Sequence, residues 1–301
     1  MNGLGRRDAA GPLLNLLHEH VPAPQSNRET AHWCAALGVA RATFYRHAAE
    51  AVPKPAQMEL RDALQRLALA WPSYGYRRLR AALKRQGFKV KHKRVLAWMR
   101  EDNLLCLRDL SGFVVTTDSR HAFPLSPNLA REMTLTALNQ LWIAASTDIR
   151  LRSEFVYLAV ILDACSRRVS GWAVSRHIDS ELTLIALRMA RSRRQFTAGL
   201  VHHSDRGVQY AATDYVTALE AHNITVSISR KGNPYDNAHC ERFMRTLKYE
   251  EVYLSDYETL SEAEASIEHF LEEVYNQKRL HSALGYVPPA EFEQSLTATY
   301  P

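Results

Sequence analysis

The stretch Leu141-Trp-Ile-Ala-Ala-Ser-Thr-Asp148, followed by Phe155-Val-Tyr-Leu-Ala-Val-Ile-Leu162 and then Val169 to Val174, decides the reading of the fold. These are three β-type runs at hairpin spacing. The middle run is nearly all apolar, as expected of a strand buried on both faces. Downstream the pattern alternates: Ser180 to Arg193 reads as helix, Leu200 to His203 as strand, Ala212 to His222 as helix and Thr225 to Ser229 as strand. Two helices close the chain, at about 236 to 253 and 259 to 276. The order βββαβαβαα is that of an α/β domain with a mixed five-stranded sheet and outer helices.

Upstream the signals are helical. Leu13 to His20 is an apolar helix candidate, ended by the breaker stretch Val21-Pro-Ala-Pro. Glu29 to His47 reads as a helix, a turn at Leu37-Gly38-Val39 and a second helix from Arg41, which is the helix-turn-helix outline. The second helix of such a motif enters the major groove, so Arg41, Tyr45 and Arg46 are its candidate DNA contacts. After Pro53 and Pro55, Arg61 to Ala70 is amphipathic, and Arg77 to Gln86 and His92 to Asp102 form a second helical pair. Here Arg77, Arg78, Lys91, Lys93 and Arg94 cluster near helix starts, where free backbone N–H groups also favour phosphates. A helical hairpin that merely packs on something else is the bland alternative for both pairs.

Charge separates the two halves. Residues 1–135 hold 21 Lys and Arg against 11 Asp and Glu, and the remainder holds 17 against 21, giving +10 and −4 for a net +6. From Ala63 to Arg100 there is no acid among eleven basic residues. This is a nucleic-acid-facing front half. The four cysteines form no C-x-x-C pair, which argues against a zinc knuckle or a disulfide framework. No apolar run is long enough for a membrane span and the start lacks a secretory pattern, so a cytoplasmic, nucleoid-associated protein is expected.

Three places in the rear half carry chemistry. His202-His-Ser-Asp-Arg-Gly207 puts Asp205 at the end of a strand, where ligands bind in open α/β sheets. Lys231-Gly-Asn-Pro-Tyr-Asp236 is a loop running into a helix, with Asp236 as a candidate cap. On that helix Glu241 and Lys248 are seven residues apart and share a face, one suited to metal and one to phosphate. Hard divalent cations take carboxylate oxygens, and two Mg²⁺ ions would clamp the attacking and leaving oxygens of a phosphoryl displacement.

The sequence resembles the transposases of the insertion-sequence "IS three" family. The resemblance rests on Tyr74-Gly-Tyr-Arg-Arg78, Val160-Ile-Leu-Asp163-Ala-Cys-Ser-Arg167, Gly171-Trp172, His203-Ser-Asp-Arg-Gly207, Lys231-Gly-Asn233, Asp236-Asn-Ala238, Glu241, Leu247-Lys248 and His281-Ser-Ala-Leu-Gly-Tyr286. It runs from about residue 30 to 293 and matches the product of the family's second reading frame. It implies an RNase H-like, retroviral integrase-like core and three carboxylates binding two Mg²⁺, with Mn²⁺ as a substitute. Asp205 matches the second carboxylate and Glu241 the third, with 35 residues between them. The activity implied is cleavage at the element's ends and attack of the freed 3′-OH on another phosphodiester.

The first carboxylate is where the chain departs from the family. The pattern has Trp, two residues, then Asp; here Trp142 is followed by Ile143, Ala144 and Ala145. Ala145 therefore occupies the catalytic position of the missing Asp. The favoured reason is a substitution made to trap an inactive complex. A naturally disabled copy and a rescue by Asp148 are the alternatives; Asp148 is disfavoured because three residues along a strand reverse the facing. Asp163, two strand positions from the site, reads as structural, and His202 as a local hydrogen bonder, while His203 could lie near the site. Arg279 and His281 either brace the last helix or touch DNA.

The organisation expected is a helix-turn-helix region over 1–52, a second basic helix-turn-helix-like region over 53–106, a linker over 107–138, the catalytic core over 139–295 and a tail over 296–301. The partners are double-stranded DNA (terminal inverted repeats and target), a homo-oligomer on paired ends, and a separate first-frame protein. Lys231 and Lys248 join the DNA contacts. A DNA-binding regulator or domesticated transposase that never cuts is one competing function. An RNase H-like nuclease acting on junctions or hybrids is another, although it has no need of two front helix-turn-helix units.

Overall fold

A computed structural model describes residues 26–50, 55–106, 126–196, 198–230 and 237–299. The Leu13 to His20 helix, the Lys231 to Asp236 loop and most of the linker lie outside these residues. The chain forms two compact units, Met1–Ala70 and Trp71–Pro301.

The first unit holds α1 (Asn27–Ala36), α2 (Arg41–Glu50) and α3 (Pro55–Ala70). Ser26 caps α1, its hydroxyl accepting the Glu29 N–H at 3.2 Å, the short-range signature of a helix start. Gly38 takes φ +63 at the turn, a conformation that costs glycine nothing, and the chain re-enters helix at Arg41. Cys34 and Phe44 are buried between α1 and α2, with Trp33, Leu37 and Val39 packed against them.

The second unit opens with α4 (Tyr76–Arg85) and α5 (His92–Glu101). Leu79 and Leu83 face Val95, Trp98 and Met99, all buried, on the apolar stripes of the two helices. The sheet follows: β1 (Leu141–Arg150), β2 (Phe155–Asp163), β3 (Val169–Ser175), β4 (Val201–Ser204) and β5 (Thr225–Ile228). Its spatial order is β3-β2-β1-β4-β5. The first three strands pair antiparallel, while β4 runs parallel to both β1 and β5. The expected mixed five-stranded sheet is thus present. β1 is two residues longer than expected and β4 lies one residue later than expected.

Helices cover both faces, which is why β2 has so little polar sequence. On one face lie α6 (Ser180–Arg193), the short α7 (Val208–Ala211) and α8 (Thr213–Glu220), over Trp142, Ala144, Ala159 and Ile161. Asp179 caps α6 through the Leu182 N–H at 3.0 Å. Gly171 lets α6 approach β3: a Cβ there would stand 2.2 Å from the Ala186 carbonyl oxygen. On the other face α9 (Ala238–Glu250) and α10 (Leu260–His269) cover Ile143, Ala145, Val160 and Leu162. α10 continues into a wide π turn over Phe270–Tyr275 that buries Phe270, Leu271 and Tyr275.

A last helix, α11 (Pro289–Thr299), was not expected and crosses the boundary drawn between residues 295 and 296. Proline at its first position marks its start. Glu293 anchors it: the carboxylate is buried and accepts from Ser166 Oγ at 2.6 Å, Arg168 Nη1 at 2.7 Å and Arg194 Nη1 at 2.8 Å. Among the described residues, no helix is long and apolar enough to cross a membrane.

Candidate active site

The parallel pairing of β1 with β4 builds the site. Ile143 stands beside His203 and Ala144 beside Ser204. Ala145 follows Ala144 in β1, and Asp205 is the residue just beyond the end of β4. Asp205 is half-buried, and its Oδ1 accepts the Gly207 N–H at 3.0 Å, folding the loop back over the strand end. Ala145 is buried in the cluster that includes Cys240, Phe243 and Leu247 of α9. That apolar stripe seats α9 against β1, and Glu241 lies in the first turn of the helix. Burial pushes the Glu241 carboxyl above its ordinary range. At the start of α9, Asn237 donates through Nδ2 to the Ala144 carbonyl at 3.2 Å.

Around this pair the polar groups are mostly engaged. Ser146 bonds the Tyr210 hydroxyl at 2.9 Å and accepts from Gln209 Nε2 at 3.3 Å, tying β1 to α7. Burial, and then the charge of Asp205, raise the Tyr210 phenol well above its usual value. His203 is fully buried, with Nδ1 on Ser227 Oγ at 2.9 Å and Nε2 on Ser229 Oγ at 3.0 Å, so both ring nitrogens are engaged in bracing β4 against β5. His202 points to the opposite face and bonds the Tyr215 hydroxyl at 2.9 Å. Burial, with the neighbouring His203, pulls its pKa down to about 3. Asp163 accepts from the Cys165 and Ser166 N–H groups at 2.9 and 2.8 Å and from the Asn139 N–H at 2.6 Å. It shapes the β2–β3 turn, in which Arg167 adopts φ +64.

Asp148 is held elsewhere. Its Oδ1 lies 3.2 Å from Lys248 Nζ. Glu241 and Lys248 do share a flank of α9, and the lysine on that flank meets a carboxylate of β1.

The basic residues of the front half divide. Arg41 and Tyr45 are exposed, and both reach back to Asn27: Arg41 Nη2 to its carbonyl at 3.3 Å and the Tyr45 hydroxyl to Oδ1 at 2.9 Å. Arg77, Lys91, Lys93 and Arg94 are exposed, Arg77 stacking on Tyr76 at 5.3 Å and Arg94 on Trp98 at 5.3 Å. Arg78 is turned inward over the Tyr74 ring at 5.3 Å, and burial with the nearby Arg279 lowers its pKa. The side chain of Arg46 and all of Lys231 and Asp236 fall outside the described residues.

Arg279, left open between bracing and DNA contact, braces. Its Nε and Nη2 hold both oxygens of Glu250 at 2.6 and 2.7 Å, and both side chains are under a tenth exposed. The Leu280 N–H donates to the Tyr74 hydroxyl at 2.7 Å. The motifs at Tyr74-Arg78 and at 281–286 are both visible in the sequence, but nothing in either shows that the segments meet.

Family models described as "Integrase core domain" match residues 136–234 and 222–289, and one described as "HTH-like domain" matches 55–109. The "Insertion element IS600 uncharacterized 31 kDa protein" of Shigella sonnei is 35% identical over 268 residues, covering 87% of this chain and 97% of its own. "Transposase InsF for insertion sequence IS3A" of Escherichia coli (strain K12) is 32% identical over 266 residues, covering 86% of this chain and 92% of its own. Among solved structures, the catalytic core domain of BIV integrase aligns with a TM-score of 0.41 at 23% identity, over 54% of this chain and 99% of that one.

Proposed function

The chain belongs to the IS3 family of insertion-sequence transposases, with an RNase H-like integrase core and an HTH-like region, and from that premise we propose that it binds the ends of a mobile element, cuts a strand there and joins the freed 3′-OH to another phosphodiester. Its HTH-like regions grip the terminal repeats through Arg41, Tyr45, Arg46, Arg77, Lys91, Lys93 and Arg94, with Lys231 and Lys248 beside the reacting strand. Two copies synapse the two ends, and a first-frame protein assists. The work is done in the cytoplasm, on nucleoid DNA.

The observation that carries the reading is the parallel pairing of Ala144 with Ser204, one residue before Ala145 and Asp205, with Ala145 packed against Cys240, the residue before Glu241 in the first turn of α9. Three segments of chain converge on one carboxylate site, and position 145 is its third corner. Asp148 does not replace the missing carboxylate. Its partner Lys248 is seven residues along α9 from Glu241, which is about 10 Å of helix. Carboxylates sharing one ion must all lie within about 2 Å of it.

The integrase core family is metal-dependent, so the donor set needs a test of fit. Asp205 and Glu241 supply two carboxylates, position 145 supplies a methyl group, and both nitrogens of His203 are bonded to serines. Among the described residues, no three His, Cys, Asp or Glu side chains come together to hold a metal ion. The residues present therefore do not fit a site for two Mg²⁺ or Mn²⁺ ions, and we read Ala145 as an inactivating replacement. Ala145→Asp would complete the set.

The test is a cleavage and strand-transfer assay on paired element-end DNA with Mg²⁺. The Ala145→Asp protein is expected to cut, the unaltered chain to be inert, and both to bind ends equally. Cleavage by the unaltered chain would make Asp148 the first ligand. Binding without cleavage by either would turn the reading to a DNA-binding regulator.

A further inference from the structure

Lys248 sits in the last turn of α9, and its charge is already taken. Its Nζ lies 3.2 Å from Asp148 Oδ1, 100 residues earlier in β1. β2 pairs with β1 over Trp142–Arg150, but β4 pairs with it only over Leu141–Ala144. Asp148 therefore stands where β1 has a strand on one side and, among the described residues, none on the other. The ion pair is neither sealed nor free: 22% of the Lys248 side chain and 35% of the Asp148 side chain are open to solvent. A pair closed in the core could not be exchanged without stranding a buried charge, and a fully solvated one would hold the lysine by almost nothing.

The neighbouring cation on α9 is in a different state. Arg245 precedes Lys248 by three residues, so the two side chains are neighbours on the helix. Arg245 is exposed, its guanidinium is 5.4 Å from the Tyr249 ring centroid, and it forms no ion pair among the described residues. Two cations thus lie side by side, and a carboxylate of the chain itself occupies one of them. A carboxylate and a phosphodiester both present anionic oxygen acceptors, so they compete for the same ammonium.

We infer that Asp148 is an internal stand-in for a DNA phosphate: it holds Lys248 in the free chain and is displaced when a phosphodiester of bound DNA takes the ammonium. This rests on the proposed function for the presence of DNA beside α9. Asp148 thereby acts as a brake on DNA engagement, a role separate from that of any other carboxylate of the sheet. One ion pair replaces another, so the brake is as strong as a half-exposed pair and no stronger.

The experiment uses the full, otherwise unaltered chain and needs no cutting. Asp148→Asn keeps the shape and removes the charge, with Asp148→Ser as a second way of removing it. Lys248→Met keeps the aliphatic stem and removes the ammonium. The single replacements and Asp148→Asn with Lys248→Met are titrated with an element-end duplex and with an unrelated duplex of equal length. Titrations run at several salt concentrations without divalent cation, and each protein is also melted without DNA. We expect Asp148→Asn and Asp148→Ser to tighten binding about two- to fivefold. In the Lys248→Met background, Asp148→Asn should change affinity by less than about 1.5-fold. Lys248→Met should lower the salt-dependence slope by about one, and Asp148→Asn should leave it unchanged, because Lys248 meets a phosphate in both proteins.

No tightening in either Asp148 variant would overturn the inference. So would equal tightening in both backgrounds, which would make Asp148 a distant repulsive charge. A slope that rises by about one in Asp148→Asn would mean that Lys248 stays with Asp148 on DNA, and overturns it as well. Equal affinity of the unaltered chain for the two duplexes overturns the proposed recognition of element ends instead. The exchange is then read on either duplex, because a phosphate contact carries no sequence information. A chain that binds neither duplex overturns both.

Discussion

The α1–α2 pair closes on a core of Cys34 and Phe44, whereas the α4–α5 pair buries Leu79, Leu83, Val95, Trp98 and Met99, and Tyr74 and Arg78 beside it meet the end of the chain. In sequence the two look alike: helix, glycine turn, helix, with arginines and lysines near the starts. In the fold they differ in what their charges do. Arg41 and Tyr45 both reach Asn27, within their own pair. Arg78 faces inward, and Arg85 pairs with Glu291 of α11 at 2.6 Å, so two basic residues of the second pair serve the catalytic unit. A basic helix is thus two surfaces, and the sequence alone does not sort them.

The largest effect that would sharpen this contrast is expected at the buried ion pair. Arg279→Ala leaves the Glu250 carboxylate buried without its partner, which typically costs about 3–5 kcal/mol. Chemical denaturation should show that loss in the second unit, while a probe on Trp33 in the first unit stays unchanged. A loss under 1 kcal/mol would mean that the pair is solvated and the bracing role wrong.

Next in size is an acid sensitivity confined to the second unit. Burial pulls the pKa of His202 down to about 3, and burial with Arg279, Arg78 and Arg167 does the same to His281. An unfolded histidine binds its proton near pH 6.5, so between pH 6.5 and 3 the unfolded chain holds more protons than the folded one. Stability is therefore full above pH 6.5 and falls as pH drops below it. Each histidine accounts for about 2 kcal/mol of loss by pH 5. Denaturation midpoints at pH 7 and 5 measure this, and His202→Gln should flatten the slope.

The smallest effect bears on DNA. Replacing Arg94 or Lys91 by Ala should weaken end binding modestly and lower the salt-dependence slope by about one each. Arg78→Ala should leave that slope alone, because its guanidinium lies against Tyr74. Equal slope changes at all three positions would erase the distinction between the two surfaces.

Much of the architecture was legible because local rules carried it. The apolar runs of β1 to β3 and the Gly38 turn announce themselves within a few residues, whereas the Ser26 and Asp179 caps, equally local, came only with the structure. The strand pairing sets Ala144 beside Ser204, one residue before each of the two positions that the motifs single out. What stayed hidden depends on distance along the chain. Lys248 meets Asp148 across 100 residues, and Tyr74 meets Leu280 across 206, with no periodicity to advertise either. Helix α11 was missed for a local reason: Pro288-Pro289 reads as a break, yet proline is at home in the first turn of a helix.

The strand order has a consequence in time. β1, β2 and β3 are sequence neighbours that pair as hairpins, so they fold from short loops. β4 must be fetched back to β1 across the whole hairpin and α6, and α9 comes later still. Asp205 and Glu241 are synthesised 60 and 96 residues after position 145. At roughly 5–20 residues per second, a ribosome takes several seconds to deliver both. A nascent or truncated chain that ends before α9 already has the basic helices of the front half but not the carboxylate pair. Such a fragment would hold the basic helices and Asp205 but lack Glu241, the other half of the proposed carboxylate pair.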